Sequence, residues 1–415
     1  MANAAQVRQL AAFTAELYRA KAVLGYQGYV KHDELAMLML HPGRDDPYPL
    51  YERLRERGPI CRARVGPWVA TSHPLCNQVL RDRRFGVGPD GAESNGGGLS
   101  FLEMNPPDHT RLRRLAAPAF SPKQMAGYVP LIEKTVQQLL DDLPPDGRVD
   151  FVSAFAAPLP IAVISELLGV PATHADDFAR WGATIGTALD GVKGVRHLTA
   201  LLAANAGLEA MFHELFERRR REPADDVVSR IVAAEGDTVT PAEMVPLCVL
   251  LFIAGFETTV NLISNGVMAL VDHPDQWAAL RADPTLAGNA VEEVLRYDPP
   301  VQRTGRVAHT DVALDGTLVR QGEYVVTLIG AANRDPQVYE DPARFDITRT
   351  LPVEHLAFSS GIHYCLGQPL ARLEATIALA ALAERAPGLR RAGRMVPRNA
   401  ATIRGPLRLP VALGR

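Results

Sequence analysis

The sequence predicts a mainly helical fold with small β-sheets, an α+β class protein, and three observations carry that reading. Apolar residues recur at helical spacing over 125–143, 175–189, 198–221, 241–272 and 370–386. Strand patterns rich in Val, Thr and Tyr are confined to 62–71 and 306–327. No internal repeat or linker divides the 415 residues, so a single domain spanning 1–415 is expected, with 1–40 as an N-terminal extension packing on it.

In chain order, residues 1–25 read as an Ala-rich amphipathic helix without the apolar core of a signal peptide. The stretch 62–71 reads as a hairpin. Six glycines within 86–98 make that segment a solvated loop. Asp108 then precedes a helix on which His109 and Arg113, four residues apart, share a face. The helix over 241–272 opens with a capping box, Thr240 and Glu243, and has Pro241 in the favoured first position. Pro246 deletes one of its hydrogen bonds, and a bend is expected in the second turn. The turn residues Asp315 and Gly316 divide short strands within 306–327.

Composition excludes several classes. With 47% hydrophobic residues the chain can bury a large core, and a net charge of −3 gives no overall attraction to nucleic acid or to anionic membranes. Cys61, Cys76, Cys248 and Cys365 are too few for a disulfide framework and lack metal-type spacing, which points to a reducing, cytoplasmic location. The most apolar run, 244–256, is shorter than the roughly 20 residues of a membrane span. A soluble monomer is expected.

Chemistry concentrates at four places. Cys365 sits in the frame Phe358, Ser359, Ser360, Gly361, Ile362, His363, Tyr364, Cys365, Leu366, Gly367, just before a helix whose N–H groups favour an anionic sulfur. A buried structural thiol is the plain alternative. Within the long apolar helix, Gly255, Glu257 and Thr258 set an acid beside an alcohol, and carboxylates are rarely buried without a reason. Thr258 can bond a backbone carbonyl and loosen the helix, with Gly255 leaving a groove; a solvated stripe is the bland reading of the same residues. Glu293 and Arg296 share a helix face at i, i+3, by itself a weak signal. A run from Asn333 to Asp346 includes Asp335, Pro336, Asp341, Pro342, Arg344 and Phe345.

The order and content of these motifs resemble the cytochrome P-450 family, in its bacterial soluble form and in the style of actinobacterial natural-product tailoring members. The resemblance runs from Met104 to Gly367; one departure is Ser359, where the family usually has glycine, so a slightly strained turn is expected. It implies haem b held between the long distal helix and the proximal loop, with Cys365 as iron ligand and Phe358 and Gly367 shaping the loop. A thiolate ligand favours cleavage of a bound O–O bond. Thr258 would hydrogen-bond the oxygen ligand, Glu257 would help relay protons, and Gly255 would open the helix to the cofactor. His109, Arg113, Arg306 and His363 would hold the propionates, because a buried anion pair demands cations. Glu293, Arg296 and Arg344 would form a buried structural triad.

The resemblance also implies a redox partner, since no flavin or nicotinamide domain is evident: ferredoxin with its reductase, met by a basic patch of Arg111, Arg114, Lys123 and Arg372. The Gly-rich loop and the segment between 175–189 and 198–221 would contribute to a pocket lined by Val301, Gln302, Arg303, Thr304, Thr402 and Ile403. A small apolar substrate, hydroxylated or epoxidised and of polyketide or macrolide kind, follows by family analogy. A haem-thiolate peroxygenase and a non-catalytic haem sensor or binding protein are the alternatives. Neither needs the acid and alcohol pair.

Overall fold

The structure is a computed structural model that describes residues 4–89, 99–144, 147–187 and 191–414. Helices follow the expected periodicity closely: Pro122–Asp142, Ala175–Gly186, Val195–Arg221, Pro241–Asp272 and Gln368–Arg385, with Ala4–Gly25 at the start. The long helix Pro241–Asp272 is the hub. Its Thr240–Glu243 capping box is present, and the helix continues through Pro246. Around it pack Pro158–Leu168, Ala175–Gly186, Ala287–Tyr297 and Gln368–Arg385. Phe252 stacks on Phe178 with ring centroids 3.7 Å apart, a contact that Gly182 permits because a Cβ there would meet the Phe252 ring at 2.3 Å.

By length and composition this helix could cross a membrane, so the shorter run expected from the sequence understated it. It is a core helix: 83% of its most apolar window is buried inside the protein. An all-round apolar helix belongs either in lipid or in a core, and here neighbouring helices cover it.

The larger sheet has the order Ile60–Arg62, Trp68–Ala70, Tyr324–Thr327, Thr304–Ala308, Phe85–Gly86. The pairing of Trp68–Ala70 with Tyr324–Thr327 is parallel, and the other pairs are antiparallel. Both expected hairpins form. In the second, Val312–Leu314 turns into Thr317–Val319 through Asp315 and Gly316, both at positive φ. Thr304–Ala308 is an inner strand, paired with Tyr324–Thr327 on one side and Phe85–Gly86 on the other, with Val301, Gln302 and Arg303 just before it.

Candidate active site

Backbone hydrogen bonds fold the loop before Gln368–Arg385 onto itself. Cys365 N–H donates to Phe358 O at 2.9 Å, Ser359 N–H to Leu356 O at 2.8 Å, and Tyr364 N–H to Gly361 O at 3.1 Å. Gly361 has φ +69° and lies so close to Leu80 O that a Cβ would fall 2.5 Å from it; no other residue fits. Ser359 sits at φ 64°, ψ −159°, a region that is essentially reserved for glycine, so the strain expected from the sequence is present. Phe358 is buried beneath the Arg372 guanidinium, and Gly367 caps the following helix.

Cys365 itself is half-buried. Burial raises its thiol above the usual range, while the N–H groups of Gly367 and Gln368 and the charges of Arg113 and Arg372 pull it down. The helix start therefore acts in the expected direction but is outweighed by burial.

Beside this loop four basic side chains converge. The His109 and His363 rings have centroids 4.3 Å apart, and Arg113 Nη2 donates to Tyr364 O at 2.5 Å. Arg306 is buried and donates to Gly305 O and Thr304 Oγ1 at 2.8 and 3.3 Å. Burial, then Arg113 and Arg306, push His109 down to about 4; burial, then Arg306, His109 and Arg113, push His363 down to about 3. Burial alone lowers Arg306 to about 10, and it lowers Arg113 as well. Both ring nitrogens of His109 and Nε2 of His363 are buried without a hydrogen-bond partner. Among the described residues, none of the four has a carboxylate partner. Such a set fits a bound dianion next to a thiol, which is how the two propionates of haem would meet it.

On the long helix, Thr258 Oγ1 donates to Ala254 O at 2.8 Å, the local loosening that the sequence suggested. Ala254, Gly255 and Thr258 stay partly open in a stretch where Phe252, Ile253, Phe256 and Thr259 are buried. Glu257 is turned elsewhere. Only 3% exposed, it forms an ion pair with Arg398 from the C-terminal hairpin. Asn261 and Asn265 continue the same stripe at i+4 and i+8. Asn265 Nδ2 donates to Asp298 O and Arg404 O at 3.0 and 3.2 Å. Asn261 abuts Gly405, where a Cβ would fall 2.0 Å from Oδ1.

Several expectations are corrected. Arg296 is buried and clamps Glu293 twice, Nε to Oε2 at 2.7 Å and Nη2 to Oε1 at 2.8 Å. The third member is Arg349, whose Nε lies 3.4 Å from Glu293 Oε1; the Arg344 side chain is 61% exposed beside Asp346 and lends only its carbonyl to Arg296. Chain direction through the turn decides this, and residue order does not reveal it. Gln302 is not free to face a ligand, because its side chain accepts from Tyr51 Oη at 2.9 Å and donates to Pro299 O at 2.7 Å. Val301 and Ile403 do meet in a bridge, and Gln302 N–H donates to Thr402 O, with Thr304 partly open beside them. In the basic patch, Arg111 is spent on Asp108 and Glu243 and Arg372 on Glu292, which leaves Arg114 and Lys123 exposed. Most of the Gly-rich loop, 90–98, lies outside the described residues, as do 188–190.

Arg349, Arg398 and Arg404 were not singled out by sequence. No local spacing marks them.

Comparison with known proteins agrees with this geometry. The family model "Cytochrome P-450" matches residues 203–385. The chain is 41% identical over 358 residues to the biotin biosynthesis cytochrome P-450 of Bacillus subtilis, covering 83% of this chain and 90% of the relative. It is 37% identical over 394 residues to the 6-deoxyerythronolide B hydroxylase of Saccharopolyspora erythraea, covering 89% and 96%. Among solved structures, P450BioI in complex with hexadec-9Z-enoic acid ligated acyl carrier protein superimposes with a TM-score of 0.83 at 39% identity, over 89% of this chain and 98% of that one. A lone cysteine in a folded-back loop, basic residues awaiting a dianion and relatives matched along nearly their whole length have one common explanation: this chain belongs to the cytochrome P-450 family of haem-binding monooxygenases.

Proposed function

We propose that this chain is a soluble, cytoplasmic, monomeric monooxygenase that takes electrons from a ferredoxin and its NAD(P)H-dependent reductase. It hydroxylates or epoxidises an apolar small molecule of polyketide or macrolide kind. The reading treats 1–415 as one domain with 1–40 packed on it, supported by the bond from Lys21 Nζ to Lys193 O at 2.6 Å. Cys365 Sγ would hold the iron, and His109, Arg113, Arg306 and His363 would hold the propionates. When bound, haem with a thiolate ligand supplies the activation of O₂.

The protein's own task is to deliver protons and exclude bulk water. The observation that carries the reading is Glu257 beside Thr258 on the long helix: a hydroxyl on the open face that can give up its bond to Ala254 O, and an acid one residue away. A gas sensor or haem-held binding module needs no such pair. Substrate class is supported by the 37% identity to a protein named for hydroxylating 6-deoxyerythronolide B. The apolar bridge of Val301 and Ile403 is consistent with it.

Purified holoprotein with a surrogate ferredoxin, ferredoxin reductase and NADPH is expected to convert a macrolactone to a product one oxygen heavier. Absence of any oxygenated product across substrates that shift the Soret band would overturn the reading. The 39% identity to a chain solved with a fatty acid on acyl carrier protein favours one further substrate class, acyl chains on a carrier. A Soret shift with acyl carrier protein conjugates and none with macrolactones would select it.

A further inference from the structure

A cleft of about 660 Å³ lies at the C-terminal end of the long helix and shares no residue with the set around Cys365, His109, Arg113, Arg306 and His363. Met268 in its wall comes ten residues after Thr258, about 15 Å further along the axis by helical rise. Pockets of roughly 300–1,000 Å³ hold small molecules, with apolar walls and a few placed polar groups. This cleft has that make-up: Met268, Ala269, Pro336, Pro342 and Ala343 supply apolar surface between charged side chains.

Most of those charges are already matched. Glu52 pairs with Arg55, Asp272 with Arg391 and Asp298 with Arg404, while Asp46 is exposed, where water screens it. Arg334 is different. Its guanidinium lies 3.5 Å from the Tyr48 ring centroid and 3.8 Å from that of Tyr297, and Nε donates to Tyr297 O at 2.8 Å. Two aromatic faces and one hydrogen bond therefore fix its plane, yet among the described residues Nη1 and Nη2 have neither a carboxylate nor any other hydrogen-bond partner. Such a free edge matches the two oxygens of a carboxylate.

Asn265, fully buried, belongs to the same wall. Its Nδ2 donates to Asp298 O and Arg404 O, which fixes the orientation of the amide and leaves Oδ1 as a buried acceptor with no donor. Burying an acceptor unmade is costly, and a hydroxyl or amine brought by a ligand would satisfy it. Arg55 Nε, also in this wall, is a further buried donor without a partner.

We propose that this cleft is a second binding site, separate from the haem pocket, for a small organic carboxylate that carries an apolar body and a hydroxyl or amino donor. Arg334 takes the carboxylate and Asn265 Oδ1 takes the donor.

The test is titration calorimetry on full-length holoprotein with 4-hydroxyphenylacetate, mandelate and L-phenylalanine, probes that set the donor at different distances from the carboxylate. At least one is expected to bind with a Kd of about 1 mM or tighter while the Soret band stays unmoved. For that probe, Arg334→Gln should weaken binding roughly tenfold or more, the scale of a lost charge-assisted pair, and the uncharged amide analogue should bind wild type as weakly. Ala343→Trp fills the cleft from an exposed position and should abolish binding, so the site is tested even where Arg334→Gln does not fold. Absence of binding by all three probes at about 10 mM overturns the proposal. So does unchanged affinity in either folded variant, an amide that binds as well as its acid, or a Soret shift that tracks the heat, since that places the probe at the haem.

Discussion

The His109 and His363 ring centroids lie 4.3 Å apart with the rings tilted, and the charges of Arg113 and Arg306 act on both, with no acid to balance them among the described residues. Their values of about 4 and about 3 lie below the roughly 6.5 of an unfolded imidazole. The unfolded chain therefore binds more protons over that window, and apoprotein stability is full above about pH 6.5 and is lost as pH falls toward 4. Denaturant melts from pH 8 to 4 should show this loss, smaller in His363→Gln. Bound haem should move the acid limb to lower pH, because propionates favour the charged imidazoles.

Cys365→Ala is expected to abolish the red-shifted Soret band of the reduced, CO-treated protein while leaving the helical content unchanged. Retention of that band would remove Cys365 as the ligand.

The two arginines of the 344–349 turn should behave oppositely. Arg349→Ala removes a mostly buried partner of Glu293 and is expected to cost about 1–3 kcal/mol in urea unfolding. Arg344→Ala loses an exposed contact with Asp346 and should cost less than about 1 kcal/mol.

Ser359→Gly should stabilise the protein by about 1 kcal/mol, since glycine adopts the φ 64°, ψ −159° backbone at little cost. A thermal melt of holoprotein checks this. Gly405→Ala should do the reverse, because a methyl cannot coexist with Asn261 at 2.0 Å.

Thr258→Ala deletes a small hydroxyl and should leave haem and substrate binding intact. Coupling should fall, with NADPH and O₂ consumed and hydrogen peroxide released in place of product. Glu257→Gln should mainly slow turnover. Unchanged coupling in Thr258→Ala, measured as product per NADPH on a substrate without its own nearby hydroxyl, would reduce Thr258 to helix packing.

Local chemistry made much of this protein legible from sequence. Helical periodicity, the Thr240 and Glu243 box and the Asp315–Gly316 turn are short-range signals, so the elements could be read before any packing was known. The Cys365 frame and the adjacent Glu257 and Thr258 were equally local. What only tertiary structure decided was pairing between residues distant along the chain. Arg349 replaces Arg344 on Glu293, Gln302 turns toward Tyr51, Arg111 is spent on Glu243, and Arg398 reaches Glu257 across 141 residues. The reason is physical: a long charged side chain is compatible with many partners of opposite sign. Which one it meets depends on how the backbone brings elements together and which groups lose their water there, and neither is written in residue spacing.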